Sequence, residues 1–143
     1  MQNQGIDEEL FRHIADSIAD TPYYKLLGIQ VINIGPGLAE LSVTVDLKHT
    51  NPLGVTHGGL MMSLADAAMG NAIRSLGIKA VTVDCSTGFI ASAQQGETVI
   101  ARGEVLRAGK NMLFAQAEVR AGNRLLSNSK ASYFKTGEID LNN

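Results

Sequence analysis

Residues 58–76, GGLMMSLADAAMGNAIRSL, constrain this chain more than any other stretch. They read as one long helix that is apolar nearly all round, and such a helix has to be covered on several sides. Gly77 is a natural stop. Beyond it the pattern changes to strands, at about 79–90, 97–107, 111–121 and 124–135, with turns at 93–96, 108–111 and 121–123. Upstream, Ile29, Val31 and Ile32 begin a strand and Gly35-Pro36-Gly37 turns it. Residues 38–45, LAELSVTV, then alternate, with Leu41, Val43 and Val45 on one face. Residues 47–56, LKHTNPLGVT, have no period and read as a loop.

Strands joined by short turns pair antiparallel. The order helix, two strands, long helix, four strands therefore predicts an α+β fold. In it, one curved antiparallel sheet of about six strands wraps the long helix. The sheet covers only part of that helix, and a second copy of the chain is the simple completion. Residues 6–20 read as a separate amphipathic helix, with Ile6, Leu10, Ile14 and Ile18 on one face and Asp7, Glu8 and Glu9 at its start. Thr21-Pro22 breaks it, and YYKLL at 23–27 suits one further helical turn. With no linker in sight, residues 1–143 read as a single domain, with a core over about 22–136 and an accessory helix at 6–20.

A chain of 143 residues is one domain's worth. Twelve Lys and Arg against 14 Asp and Glu give a net charge of −2, which argues against nucleic acid as a partner. Apolar residues at 45% and charged ones at 18% exclude a disordered chain and suggest apolar surface hidden in an oligomer. The lone Cys85 rules out an intramolecular disulfide and a four-cysteine zinc site. On a strand and without a nearby signature, it reads as a buried structural thiol rather than a nucleophile. MQNQGIDEEL lacks the basic and apolar regions of a secretory signal, and no run approaches 18 apolar residues. The expectation is a cytoplasmic protein with no membrane segment.

The chemistry concentrates where the loop enters the long helix. Asp66 falls two turns inside it among Met62, Leu64, Ala65, Ala67, Ala68 and Met69. Burying an ionised carboxylate there is costly unless something compensates, and an acid in a cleft is a site candidate. The competing reading is a solvated Asp on an outer face. Gly58-Gly59 at the helix start offers free backbone N–H groups and a positive dipole end, which suits an oxyanion hole; a plain tight turn would need the same residues. Asn51 and His57 could hold a carbonyl or a water, or could simply bond their own loop. What carries weight is their combination: an amide, an imidazole, two glycines and an acid around one helix start.

With Asn51, Gly54, His57-Gly58-Gly59 and Leu64-Ala65-Asp66 at this spacing, the chain resembles the hotdog-fold acyl-CoA thioesterases. The likeness is strongest to their phenylacetic-acid-pathway (PaaI-like) branch. The resemblance covers roughly residues 22–136 and implies hydrolysis of acyl-CoA thioesters by homodimers, often assembled as homotetramers. It places the family's acid, a general base or nucleophile, at Asp66 and its oxyanion donor at the Gly58 N–H. Carbonyl- and water-placing groups fall at Asn51 and His57, and a water-holding hydroxyl at Thr82. The acyl-CoA would lie against Gly59 and Met62, with Arg107 and Lys110 as the first candidates for the CoA phosphates and Arg74 and Lys79 behind them. No cofactor is implied, and His13, His49 and His57 form no metal-ligand pattern. A non-hydrolytic acyl-CoA binder or a hotdog dehydratase is the alternative, and Asp66 together with His-Gly-Gly favours the thioesterase over the dehydratase. Gly58 and Asp66 are eight residues apart, about 12 Å along one helix. One helix cannot bring both to one thioester, so the expected site is shared between two subunits.

Overall fold

A computed structural model describes residues 1–142. The elements run β1 (Gln2–Asn3), α1 (Glu8–Asp20), α2 (Pro22–Leu27), β2 (Gln30–Gly35), β3 (Leu38–Thr44), a 3₁₀ turn (Leu47–His49), α3 (Gly58–Arg74), β4 (Ile78–Phe89), β5 (Thr98–Ala108), β6 (Met112–Ala121) and β7 (Arg124–Glu138). The strands form one sheet in the order β1-β2-β3-β5-β6-β7-β4. This is the α+β hotdog architecture, with α3 lying across the sheet. It has seven strands instead of about six, because the chain start adds β1, and β1 pairs with β2 in parallel. A two-residue strand carries no periodicity, so nothing in the sequence pattern could reveal it.

The long helix forms as its composition dictates. His57 caps it, and Gly77, at φ 77°, accommodates the reversal after its end. Leu60, Met61, Leu64, Ala65, Ala68, Met69 and Ala72 are all buried. The sheet meets them with Ala101, Leu113, Ala115, Ala117 and Ala131, so small side chains on both partners let the helix approach closely. At Gly103 on β5 the approach is tight, and an added Cβ would lie 2.5 Å from the Ala68 carbonyl carbon. One stripe of α3 stays outside this contact: Met62 is exposed, and Gly59, Ser63, Asp66 and Gly70 are half-buried.

The N-terminal helix is fully docked. Asp7 caps α1 through the Leu10 N–H at 3.0 Å, and Phe11, Ile14 and Ile18 enter the same core as α3. Its companion α2 buries no residue completely. Its end is tied down by the buried His49, whose Nε2–H donates to the Leu27 carbonyl at 2.8 Å. At the other margin β4 is an edge strand, with Val81 and Val83 more than half exposed. Among the described residues no helix is long and apolar enough to cross a membrane.

Candidate active site

The exposed stripe of α3 carries two chemical groups in two separate cavities. The first is at the helix start. His57 Nδ1 accepts from the Gly59 N–H at 2.7 Å, and the His57 carbonyl accepts from the Leu60 N–H at 3.0 Å. The Gly58 N–H has no acceptor among the described residues. With Nδ1 accepting, the neutral imidazole carries its proton on Nε2, and the side chain is exposed. A side chain at either glycine would crowd a neighbouring ring. A Cβ on Gly59 would sit 2.9 Å from His57 Nδ1, and one on Gly58 would sit 3.1 Å from the Phe89 ring. His57, Gly59 and Met62 share a cavity of about 430 Å³ with Tyr23, Leu27 and Ser63.

Asn51 does what an Asn in a tight loop does. Its Oδ1 accepts from the Leu53 N–H at 2.9 Å and the Val55 N–H at 3.3 Å. Only its Nδ2 donors remain uncommitted among the described residues.

The second group is Asp66, half-buried rather than engulfed. Its Oδ1 accepts from Thr82 Oγ1 at 2.8 Å and from the Tyr133 hydroxyl at 2.7 Å. β4 and β7 pair with Thr82 opposite Tyr133, which brings both hydroxyls to one oxygen. The cavity around Asp66, about 560 Å³, is also lined by Tyr24, Asn71, Arg74 and Lys79. Burial, and then the charge of Asp66, push the Tyr133 and Tyr24 hydroxyls up, so both stay protonated. Burial lowers Arg74, whose guanidinium donates to Asn71 Oδ1 at 2.9 Å and to Ser17 Oγ at 2.8 Å.

Arg107 and Lys110 are exposed but line neither cavity. The register runs from Ala108 through Leu113 and Tyr133 to Thr82, so Arg107 is three strands, about 14 Å, from β4. The cations beside Asp66 are Arg74 and Lys79, and of these Lys79 is exposed. Cys85 is half-buried, with its sulfur 3.8 Å from Thr87 Oγ1. Tyr133 and Tyr24 escaped the sequence reading because nothing local marks them. Tyr133 lies 67 residues from Asp66 and looks like one more inward residue of an alternating strand.

A family model described as the thioesterase superfamily matches residues 53–127, the span that carries His57, Gly58, Asp66 and Thr82. The chain belongs to the thioesterase superfamily. Among curated relatives of this thioesterase-superfamily protein, the acyl-coenzyme A thioesterase PaaI of Escherichia coli is 36% identical over 86 residues, 60% of this chain and 61% of the relative. Human acyl-coenzyme A thioesterase 13 is 29% identical over 100 residues, 68% and 71% of the two chains. The solved structure of the E. coli PaaI protein, from the phenylacetic acid degradation operon, superposes with a TM-score of 0.87 at 25% identity. It covers 95% of this chain and all of that one, so the likeness to PaaI takes in α1 and α2 as well as the superfamily core.

Proposed function

We propose that this thioesterase-superfamily protein hydrolyses acyl-CoA thioesters to the free acid and CoA, at a site shared by two subunits. The observation that carries this reading is the acid on α3, oriented by two hydroxyls, on the same exposed stripe as a helix-start N–H without an acceptor. The Gly58 N–H, aided by the helix dipole and by His57 Nε2–H, polarises the thioester carbonyl. Asp66 then deprotonates a water that adds to the carbonyl carbon, or attacks that carbon itself to give a mixed anhydride that water opens. Either route breaks the C–S bond and releases CoA as a thiol. Asn51 Nδ2 and Thr82 help to hold the carbonyl and the water, and Gly59 and Met62 line the substrate cavity.

The two halves occupy different cavities of one protomer. Their place beside the edge strand supports the shared site. The Phe89 ring packs at Gly58, and Thr82 bonds Asp66. An antiparallel pairing of two β4 edges centred between Cys85 and Ser86 sets position 89 of one copy against position 82 of the other. That brings Gly58 of one subunit toward the partner's Asp66. It also covers Val81 and Val83, which one copy leaves exposed. In this arrangement Lys79, at the mouth of the Asp66 cavity, is better placed to meet CoA phosphates than Arg107 or Lys110. The homodimer is the working unit, and pairing of dimers into a homotetramer leaves these contacts unchanged.

Thiol release from short, medium, long and aromatic acyl-CoAs tests the reading. Turnover of at least one class is expected. No release across the whole panel, with binding retained, would replace hydrolysis by carriage of acyl-CoA.

A further inference from the structure

Tyr133 is an ionisable side chain bonded directly to the acid, and neither the sequence motif nor the proposed chemistry accounts for it. It is 2% exposed, on the central stretch of β7, and its hydroxyl is spent on Asp66: 2.7 Å to Oδ1, and a longer 3.3 Å contact to the Asp66 carbonyl. Thr82 reaches the same oxygen from β4. Two donors from two different strands converge on one carboxylate oxygen, which fixes the side-chain rotamer from two directions. Asp66 Oδ2 has no partner among the described residues, so the two oxygens of this carboxylate are inequivalent.

We infer that Tyr133 is a positioning residue for Asp66. With Thr82 it anchors Oδ1, leaving Oδ2 as the oxygen that meets the water or the carbonyl carbon. This inference rests on the thioesterase reading for its chemistry, but not for its geometry. Tyr133 acts through Asp66 and not on the substrate. Its burial keeps it a proton donor throughout the working pH range, so the clamp does not loosen as the solution pH changes. Thr82 alone would let the carboxylate turn about the remaining bond, and the second anchor removes that freedom. Holding a reacting group in one orientation acts on kcat rather than on substrate affinity.

The test pairs kinetics with a measurement that needs no turnover. Tyr133→Phe keeps the ring and loses the hydroxyl. It should lower kcat about ten- to hundredfold with KM within about twofold, the loss expected for one hydrogen bond to a charged group. Thr82→Val should behave alike, Thr82→Ser should restore most of the rate, and Tyr133→Phe/Thr82→Val should lose less than the product of the two single effects, because either loss already frees the carboxylate. The carboxyl ¹³C signal of Asp66, assigned by its disappearance in Asp66→Asn, should move in Tyr133→Phe and stay in Tyr23→Phe. A folded Tyr133→Phe with wild-type kcat, a change confined to KM, a double variant that loses the full product of the single effects, or an unmoved signal each overturns the inference. A wild-type protein with no turnover but a signal that responds to Tyr133→Phe would instead overturn the thioesterase reading and leave the clamp standing.

Discussion

Asp66 and Gly59 show how much a single residue can decide here. The Asp66 carboxylate is compensated by two hydroxyls, so it is neither the solvated surface acid nor the unpaired buried acid that the helix pattern allowed. Asp66→Asn keeps an oxygen for Thr82 and Tyr133 and removes only the charge. It should unfold within about 1 kcal/mol of wild type, yet lose about a thousandfold or more in kcat, read by denaturant titration and thiol release side by side. A stable variant with full turnover would return Asp66 to a structural role. Gly59 matters for a different reason. Its missing Cβ makes room for the His57 ring that caps α3, since an added carbon would sit 2.9 Å from Nδ1. Gly59→Ala should swing the imidazole off the cap, costing about 1 kcal/mol of stability and most of the rate, with the Gly59 amide resonance shifting in an NMR spectrum. An unshifted amide would mean that the ring tolerates the methyl.

At the scale of elements, the contact between α3 and β5 holds the site in place. Gly103 has ordinary extended backbone, and its glycine is needed for space rather than for φ. Ala68 and Met69 backbone atoms lie 2.5–2.7 Å from where its Cβ would be. Backbone on both sides leaves no flexible side chain to give way. Gly103→Ala should therefore destabilise by about 3 kcal/mol, which lowers Tm by about 10 °C in a domain of this size. An unchanged melting curve would show that helix and sheet can separate without loss. The two N-terminal helices differ in the same terms. α1 buries three large apolar side chains and is part of the core. α2 buries none completely, and is held by the Leu27 carbonyl to His49 and by the Tyr23 hydroxyl, 2.6 Å from Ser63 Oγ.

For the whole molecule, the proposed shared site makes activity depend on pairing of two copies, since its two halves lie in separate cavities of one chain. Mixing an Asn51→Ala/His57→Ala protein with an Asp66→Ala protein, under conditions that let subunits exchange, makes about half the dimers mixed. Each mixed dimer carries one intact site of two, so activity should recover to roughly a quarter of wild type. Exchange confirmed by mass with activity still at the level of the parents would place both halves of the site in one subunit.

Local pattern alone determined a good deal of this protein. An apolar run without a polar face had to be a wrapped helix, and it is α3 at Gly58–Arg74. Alternation and Gly-containing turns located six of the seven strands to within three residues, because burial on one face imposes a period of two. The helix-start glycines, His57 and Asp66 were legible because they sit close together in the chain, where spacing is itself geometry. What only the tertiary structure decided is what depends on contacts between distant segments. Tyr133 meets Asp66 because β7 pairs with β4, Lys79 lies beside the acid and Arg107 does not because of strand order, and Gly103 has no room for a side chain because a helix far away in sequence lies on it. Strand order and register are set by how the whole core packs, and no window of sequence contains that information.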